Sequence, residues 1–268
     1  MALPLPTSLS PSKVSAFKEC ALAFRFAAID RLPEPATPAT VKGTLVHRAL
    51  ELLFQLRPAE RTLEAGVDRL DRAWAEVQAE DEEFVSLELP AEDAAVFRAD
   101  AEVLLRNYFE LEDPTTVEVL GTEILVEVEV GTLTLRGIID RLELDADGQY
   151  VVTDYKTGKS PGERYELTRM GGVQFYAYLC ERIFGSRPAR IQLLHLREPV
   201  AISTVPSEQS IKGLERRTRA IWTAVERACE RDDFRPRPSR LCDFCAFRAY
   251  CPAWGGNPED ARQLAVAV

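Results

Sequence analysis

Two aspartates and a lysine stand at a spacing that could support metal-dependent hydrolysis. Residues 133–159 contain two runs rich in β-branched and aromatic residues, joined by an Asp- and Gly-rich turn, and this pattern predicts an antiparallel hairpin. If the turn is centred near Asp147, Asp140 lies opposite Asp154, with their Cβ atoms about 5 Å apart. Because strand side chains alternate between faces, Lys156 shares the face of Asp154. We therefore expect two carboxylates and an amine on one surface.

Such a group of charges has a definite chemistry. Close carboxylates repel at neutral pH, so they either share a proton or hold a cation. Oxygen ligands suit Mg²⁺ or Mn²⁺, and a lysine beside the ion can help activate water and neutralise charge at a phosphate. The simpler alternative is a surface hairpin with solvated charges. Gly158-Lys159-Ser160 looks like the end of a phosphate-binding loop, but that motif requires a glycine where Thr153 stands.

The same residues carry a family resemblance. The segments GIIDR, residues 137–141, and DYKTG, residues 154–158, resemble the PD-(D/E)XK nuclease superfamily, and specifically its RecB-like exonuclease branch. The resemblance implies that Asp140, Asp154 and Tyr155 bind the metal, the tyrosine through its carbonyl, and that Lys156 is the catalytic lysine.

A predicted helix before the hairpin carries a further motif. Residues 42–56 have an amphipathic period, and Gly43-x-x-x-His47 with Glu51 one turn later is similar to the first motif of RecB-like nucleases. There the histidine joins the active-site metal, so the resemblance makes His47 a ligand. Glu123 stands where the family often carries an early acid, although a polar position on an edge strand explains it equally well.

A predicted helix after the hairpin, from Glu166 to Phe184, carries another motif. Gln174 and Tyr178 lie at i and i+4 on one face and resemble a Q-x-x-x-Y motif that packs against the active site and contacts DNA. The resemblance assigns both to the catalytic site. His195 lies in an apolar alternating run and is given no role.

The remaining elements place these residues in an α/β fold. The resemblance implies a restriction-endonuclease-like mixed central sheet flanked by helices, in a single elaborated domain over residues 1–268 with a helical insertion at residues 60–112. The other predicted elements are a buried helix from Ser8 to Arg31, a strand or strand pair from Thr116 to Val130 with Gly121 at the break, strands at Arg190–Leu196 and Val200–Val205, and a helix from Ser207 to Asp233.

Four of the six cysteines form a second motif. Cys242, Cys245 and Cys251 are closely spaced within the cysteine-rich segment 236–254, and Cys20 is the natural fourth ligand. One distant cysteine with C-x2-C-x5-C resembles the 4Fe-4S motif of the AddB nuclease domain, CRISPR-associated RecB-like exonucleases and the exonuclease V group. It implies an iron–sulfur staple that joins the chain ends. A structural zinc site is the alternative that spacing alone leaves open. Cys180 and Cys229 fall in helical patterns and are expected to be buried thiols.

Charge and composition constrain partners and location. The net charge of −10 and the pI near 5.0 count against general adhesion to nucleic acid, which needs a positive field. We find no membrane-length apolar run and no secretory signal, and expect a cytoplasmic protein. Candidate DNA surfaces are the basic groups Lys212, Arg216 and Arg219 and the C-terminal Arg235, Arg237, Arg240 and Arg248. The first group is explained equally well as a solvated helix face.

These observations favour a metal-dependent DNA exonuclease of DNA repair or recombination. Its expected partner is DNA, single-stranded or with free ends. No helicase motif is present, so unwinding would require a separate helicase. One alternative is a non-catalytic DNA-binding subunit of a helicase–nuclease assembly, against which the intact Asp140, Asp154 and Lys156 argue. The other is a zinc-stapled scaffold, which only the acidic pI favours.

Overall fold

A computed structural model describes residues 2–159 and 163–265, without the side chains of residues 163–173 and 262–265. In chain order its helices and strands are α1 Pro11–Glu19, α2 Ala21–Ala28, α3 Pro38–Phe54, α4 Leu63–Glu80, α5 Glu82–Ser86, α6 Ala91–Leu111, β1 Glu118–Val130, β2 Leu133–Leu144, β3 Tyr150–Lys156, α7 Glu163–Phe184, β4 Arg190–His195, β5 Val200–Thr204, α8 Glu208–Arg231 and α9 Pro258–Ala265. Short 3₁₀ turns connect several of them, including one at Arg240–Phe244.

The strands form a mixed sheet in the order β1-β2-β3-β4-β5. β2 pairs antiparallel with β3, β3 pairs parallel with β4, and β4 pairs antiparallel with β5. The parallel pair needs a crossover, which α7 provides. The predicted α/β fold, a mixed central sheet flanked by helices, is confirmed.

The turn between β2 and β3 has the predicted chemistry. Gly148 adopts a positive φ of 72°, and its N–H donates to the Asp145 carbonyl at 2.9 Å. The Asp145 carboxylate accepts from the backbone N–H groups of Asp147 and Gln149 at 3.0 and 2.9 Å. These bonds fix the register, in which Arg141 pairs with Thr153. Continuing that register one step places Asp140 opposite Asp154, as predicted.

The described chain divides into two compact units. One comprises Ala36–Val126 and Ile138–Glu208, and the other comprises Met1–Pro35, Glu127–Gly137 and Gln209–Val268. The predictions of a single domain and of an insertion at residues 60–112 concern domain organisation and stay predictions.

The first unit is built around α3. This helix buries apolar side chains, including Leu45, Leu50 and Leu53, in one core with residues of α4 and α6. Thr37 caps the helix by accepting from the Thr40 N–H at 3.2 Å, and Pro38 occupies its first position. Burial of this apolar stripe therefore fixes α3 on the unit that also carries β3.

The second unit corrects one prediction about Cys20. A single helix was expected from Ser8 to Arg31, but the chain leaves the helical conformation at Cys20, which has φ −157° and ψ 111°. Cys20 thereby ends α1 and begins α2. The apolar period continues across the break, so hydrophobic spacing could not show it.

Candidate active site

A histidine and two carboxylates from three different elements meet in the first unit. His47 of α3, Glu123 of β1 and Asp140 of β2 each offer a ligand atom, and these atoms lie within 4.8 Å of one another. His47 Nδ1 is 3.6 Å from both Glu123 Oε1 and Asp140 Oδ2. One nitrogen and two carboxylate oxygens are a donor set suited to Mn²⁺ or Mg²⁺.

Gly43 allows α3 to bring His47 to this position. A Cβ atom at Gly43 would lie 3.1 Å from Thr157 Oγ1, just after β3, a closer contact than side chains normally make. The glycine therefore permits close approach of the helix to the strand end. One turn later the His47 ring packs edge to face on Tyr155, with centroids 5.7 Å apart. Glu51 takes another role, because it accepts from Arg48 Nη1 at 2.7 Å.

Glu123 reaches the site through an irregular backbone. Its φ is +48°, which is uncommon for a residue other than glycine and marks a bulge or a strained site. Exposure changes phase at this point: Leu120 is exposed before it, while after it Leu125 is exposed and Val126 is buried. The left-handed residue thus shifts the alternation of β1. Glu123 therefore lies with the other candidate ligands, and its role stays a prediction.

β2 and β3 present the two predicted aspartates. Both are nearly buried, with 9% exposure for Asp140 and 7% for Asp154. Asp140 Oδ2 accepts from the Tyr155 N–H at 2.7 Å, which holds the carboxylate against the neighbouring strand. Asp154 is not in the group of three ligands, and its carboxylate forms an ion pair with Lys156 Nζ. Lys156 is exposed, so its amine is accessible at the edge of the site.

The acids interact strongly because they share a water-poor space. Burial raises the pKa of Asp140 to about 7, and the charge of Asp154 adds to the rise. Burial alone would lower the pKa of His47, but the nearby carboxylates of Glu123 and Asp140 outweigh it and raise that pKa. Both shifts mean that the site tends to bind protons, and a divalent cation can take the place of those protons and neutralise the carboxylates.

A buried ionic network lies behind the site. Arg141 has no exposed surface and forms ion pairs with Glu112 and Glu143. Its Nη1 also donates to the hydroxyls of Tyr155 and Tyr108 at 3.0 and 3.2 Å. Because strand side chains alternate, Arg141 and Tyr155 face away from Asp140 and Asp154. The network fixes the hairpin from the face opposite the carboxylates.

The described part of α7 adds a residue that the motifs did not identify. Gln174 is half-buried and Tyr178 is 4% exposed. Burial raises the pKa of the Tyr176 phenol, and the charges of Asp154 and then Asp140 raise it further. Tyr176 is therefore close to the carboxylates, although it lies between the two motif positions. Nothing in its spacing distinguishes it from a core aromatic residue.

The four predicted cysteine ligands lie together in the second unit. Cys20, Cys242, Cys245 and Cys251 line one cavity of about 190 Å³. Two backbone N–H groups point at their sulfurs: Arg237 donates to Cys20 Sγ at 3.5 Å and Ser239 to Cys242 Sγ at 3.3 Å. Burial raises the pKa of the Cys245 thiol, and the other three thiols add to this effect.

The two remaining cysteines are buried, as predicted. Burial raises the pKa of Cys180 to about 12 and also raises that of Cys229.

Among the other candidates, Arg219 pairs with Glu215 at 2.8 Å, which favours a solvated face for that part of α8. His195 is 2% exposed at the end of β4.

Comparisons with known proteins bear on the family and the fold. A family model described as the PD-(D/E)XK nuclease superfamily matches residues 8–252. A crystal structure of a candidate exonuclease from Eubacterium rectale shares the fold, with a TM-score of 0.54, 12% identity, and coverage of 89% of this chain and 87% of its own. The crystal structure of SSO0001 has a TM-score of 0.38 at 16% identity, over 80% of this chain and 97% of its own, which is too low to support an argument. A search of curated proteins finds no significant match.

Among the described helices, none has the length and apolar character needed to cross a bilayer.

Proposed function

We propose that this chain, which belongs to the PD-(D/E)XK nuclease superfamily, is a metal-dependent exonuclease of the RecB-like branch that hydrolyses DNA from free ends. The observation that carries the proposal is the convergence of His47, Glu123 and Asp140 within 4.8 Å, beside the ion pair of Asp154 and Lys156. We place its activity in DNA repair or recombination, working with a separate helicase, and its location in the cytoplasm.

We assign each residue a role from the family motif and from its position. His47, Asp140 and Asp154, with the Tyr155 carbonyl, would hold Mg²⁺ or Mn²⁺, and Glu123 is added to this set. The bound ion supplies activation of water and neutralisation of charge at the scissile phosphate. Lys156 places a positive charge beside the site, where it can orient water and stabilise the charge that develops during attack.

Other residues near the site are assigned to positioning the carboxylate and the DNA. The Tyr155 N–H holds Asp140 Oδ2 at 2.7 Å and so fixes that oxygen beside His47. Gln174 and Tyr178 are assigned to positioning of the DNA strand on the basis of the family motif. Tyr176, whose phenol lies near the carboxylates, is a further candidate for contact with the phosphate.

A 4Fe-4S cluster held by Cys20, Cys242, Cys245 and Cys251 completes the proposal. The four cysteines line one cavity, and amide N–H groups directed at sulfur are a common way of stabilising ligating thiolates. A structural zinc site held by the same four thiolates is the alternative.

The function is tested with linear and circular single-stranded DNA of equal length. Anaerobically purified protein is incubated with each in Mg²⁺ or Mn²⁺. The proposal predicts loss of the linear DNA, survival of the circles and no cleavage in chelator. Cleavage of circles would identify an endonuclease instead. Binding of DNA without cleavage in either metal would favour a non-catalytic DNA-binding subunit.

A further inference from the structure

An unusual surface surrounds the cysteine-lined cavity in the second unit. Phe244 is 89% exposed, Leu241 56% and Trp254 47%, although large apolar side chains are normally covered. Arg248 lies over the Trp254 ring at 4.0 Å from its centroid. Together with exposed Arg240 these residues, Arg240, Leu241, Phe244, Arg248 and Trp254, are called the Phe244 patch below.

The geometry of the 3₁₀ turn at Arg240–Phe244 explains why these side chains face outwards. In a 3₁₀ turn, residues three apart lie on the same side. Cys242 and Cys245 form one such pair and line the cavity. Leu241 and Phe244 form the neighbouring pair, and both are exposed, although Leu241 also borders the cavity. The turn that directs two thiols inwards therefore presents Phe244 to solvent, with Leu241 beside it at the rim of the cavity.

Local charge identifies the kind of partner. The segment 235–254 contains four arginines and one acidic residue, Asp243, in a chain whose net charge is −10. Arg248 is shared between Asp243, at 3.3 Å, and the face of Trp254. An exposed aromatic ring beside arginines is the combination with which proteins bind single-stranded nucleic acid, by stacking on bases and by attraction of phosphates.

We propose that the Phe244 patch binds single-stranded DNA, with a base stacked on Phe244 and phosphates held by Arg240 and Arg248. This inference rests on the proposed function for its choice of DNA, and it adds a second contact outside the active site. A contact of this kind raises affinity for the strand without taking part in hydrolysis.

The test measures binding separately from cleavage. Fluorescence anisotropy follows a labelled oligothymidylate of roughly 16 nucleotides in buffer without divalent metal, using full-length anaerobic protein. We expect Phe244→Ala to weaken binding about tenfold or more, from the worth of one stacked base, and Phe244→Trp to preserve it. Arg240→Ala should lower the slope of log affinity against log salt by about 0.7.

Controls separate the patch from the fold and from catalysis. Val96→Ala removes an exposed apolar group, 61% exposed in α6, and should leave binding unchanged. Phe244→Leu keeps an apolar side chain over the turn but removes the π-face, so it should bind as weakly as Phe244→Ala. Visible absorbance and iron content verify that each variant keeps the cluster.

Three results would overturn the proposal. The first is that Phe244→Leu binds DNA with wild-type affinity. The second is that Phe244→Ala and Val96→Ala lose the same amount of DNA affinity. The third is that Phe244→Ala dissociates a dimer while its affinity for DNA is unchanged. Failure of the nuclease proposal looks different: wild-type protein would bind DNA through Phe244 and cleave none. Cleavage with Phe244-independent binding would reject the patch alone.

Discussion

Asp140→Asn should stabilise the metal-free protein while removing its response to metal. In the wild type, the Tyr155 N–H donates a hydrogen bond to Asp140 Oδ2 at 2.7 Å. The asparagine keeps an oxygen that can accept this hydrogen bond, but it removes the charge that faces Asp154. In wild type the pKa of Asp140 is raised from 3.8 to about 7 by burial and by Asp154. The folded state therefore binds this proton more tightly than the unfolded state does.

The sign and size of the change in stability follow from the linkage between proton binding and folding. A raised carboxyl pKa contributes stability that is complete below about pH 4 and lost as pH rises to about 7. Ionising Asp140 in the folded protein then costs at most about 4 kcal/mol at pH 8, of which about 2 to 3 kcal/mol develops above pH 5. His47 acts in the same direction, because its raised pKa also favours the folded state at low pH.

The assay is urea unfolding at pH 5 and pH 8, in chelator and in Mg²⁺. In chelator, the advantage of Asp140→Asn over wild type should grow by about 2 to 3 kcal/mol between the two pH values. Mg²⁺ at a hundred times its Kd should stabilise wild type by about 2.7 kcal/mol and the variant far less. Asp147→Asn, in the exposed turn, is the matched control. The reasoning is refuted if both variants show the same pH dependence, or if Mg²⁺ stabilises Asp140→Asn as much as wild type.

Three other substitutions probe the supporting structure. Gly43→Ala should keep or raise the free energy of unfolding, by up to about 1 kcal/mol from helix propensity, yet lower metal affinity because Thr157 or α3 must shift to make room for the new Cβ. Calorimetric Mn²⁺ titration and urea unfolding would separate the two effects. Arg141→Met should cost about 3 to 5 kcal/mol in urea unfolding, because it leaves buried acids unpaired, and adding Glu112→Gln should recover part of the loss. Cys20→Ser should lower both iron content and unfolding free energy, whereas Cys180→Ala should leave iron content unchanged.

The hairpin could be predicted because its determinants are local. The turn at Asp145–Gly148 sets the register through its own hydrogen bonds, and strand alternation then assigns each face. The position of Asp140 opposite Asp154, and of Lys156 beside Asp154, follows from these two rules. Hydrophobic period likewise indicated α3 and the later strands.

Other features depend on contacts far along the chain. The sequence indicated a break in β1 at Gly121, but nothing at Glu123 itself marks the left-handed backbone found there. The break at Cys20 is hidden by a continuous apolar period. Tyr176 comes under the influence of the carboxylates on the helix that connects β3 to β4, and Glu51, which the family resemblance grouped with His47, pairs with Arg48.

The central claim is that this site hydrolyses DNA with Lys156 as a catalytic residue. The most direct measurement is the single-turnover release of label from linear single-stranded DNA in Mg²⁺ by wild type, Lys156→Ala and Lys159→Ala. Lys159 is an exposed lysine three positions later, so both substitutions remove the same charge. We predict a loss of about 10²- to 10³-fold for Lys156→Ala and a rate near wild type for Lys159→Ala. Equal rates for the two variants, or no release by wild type, would contradict the account.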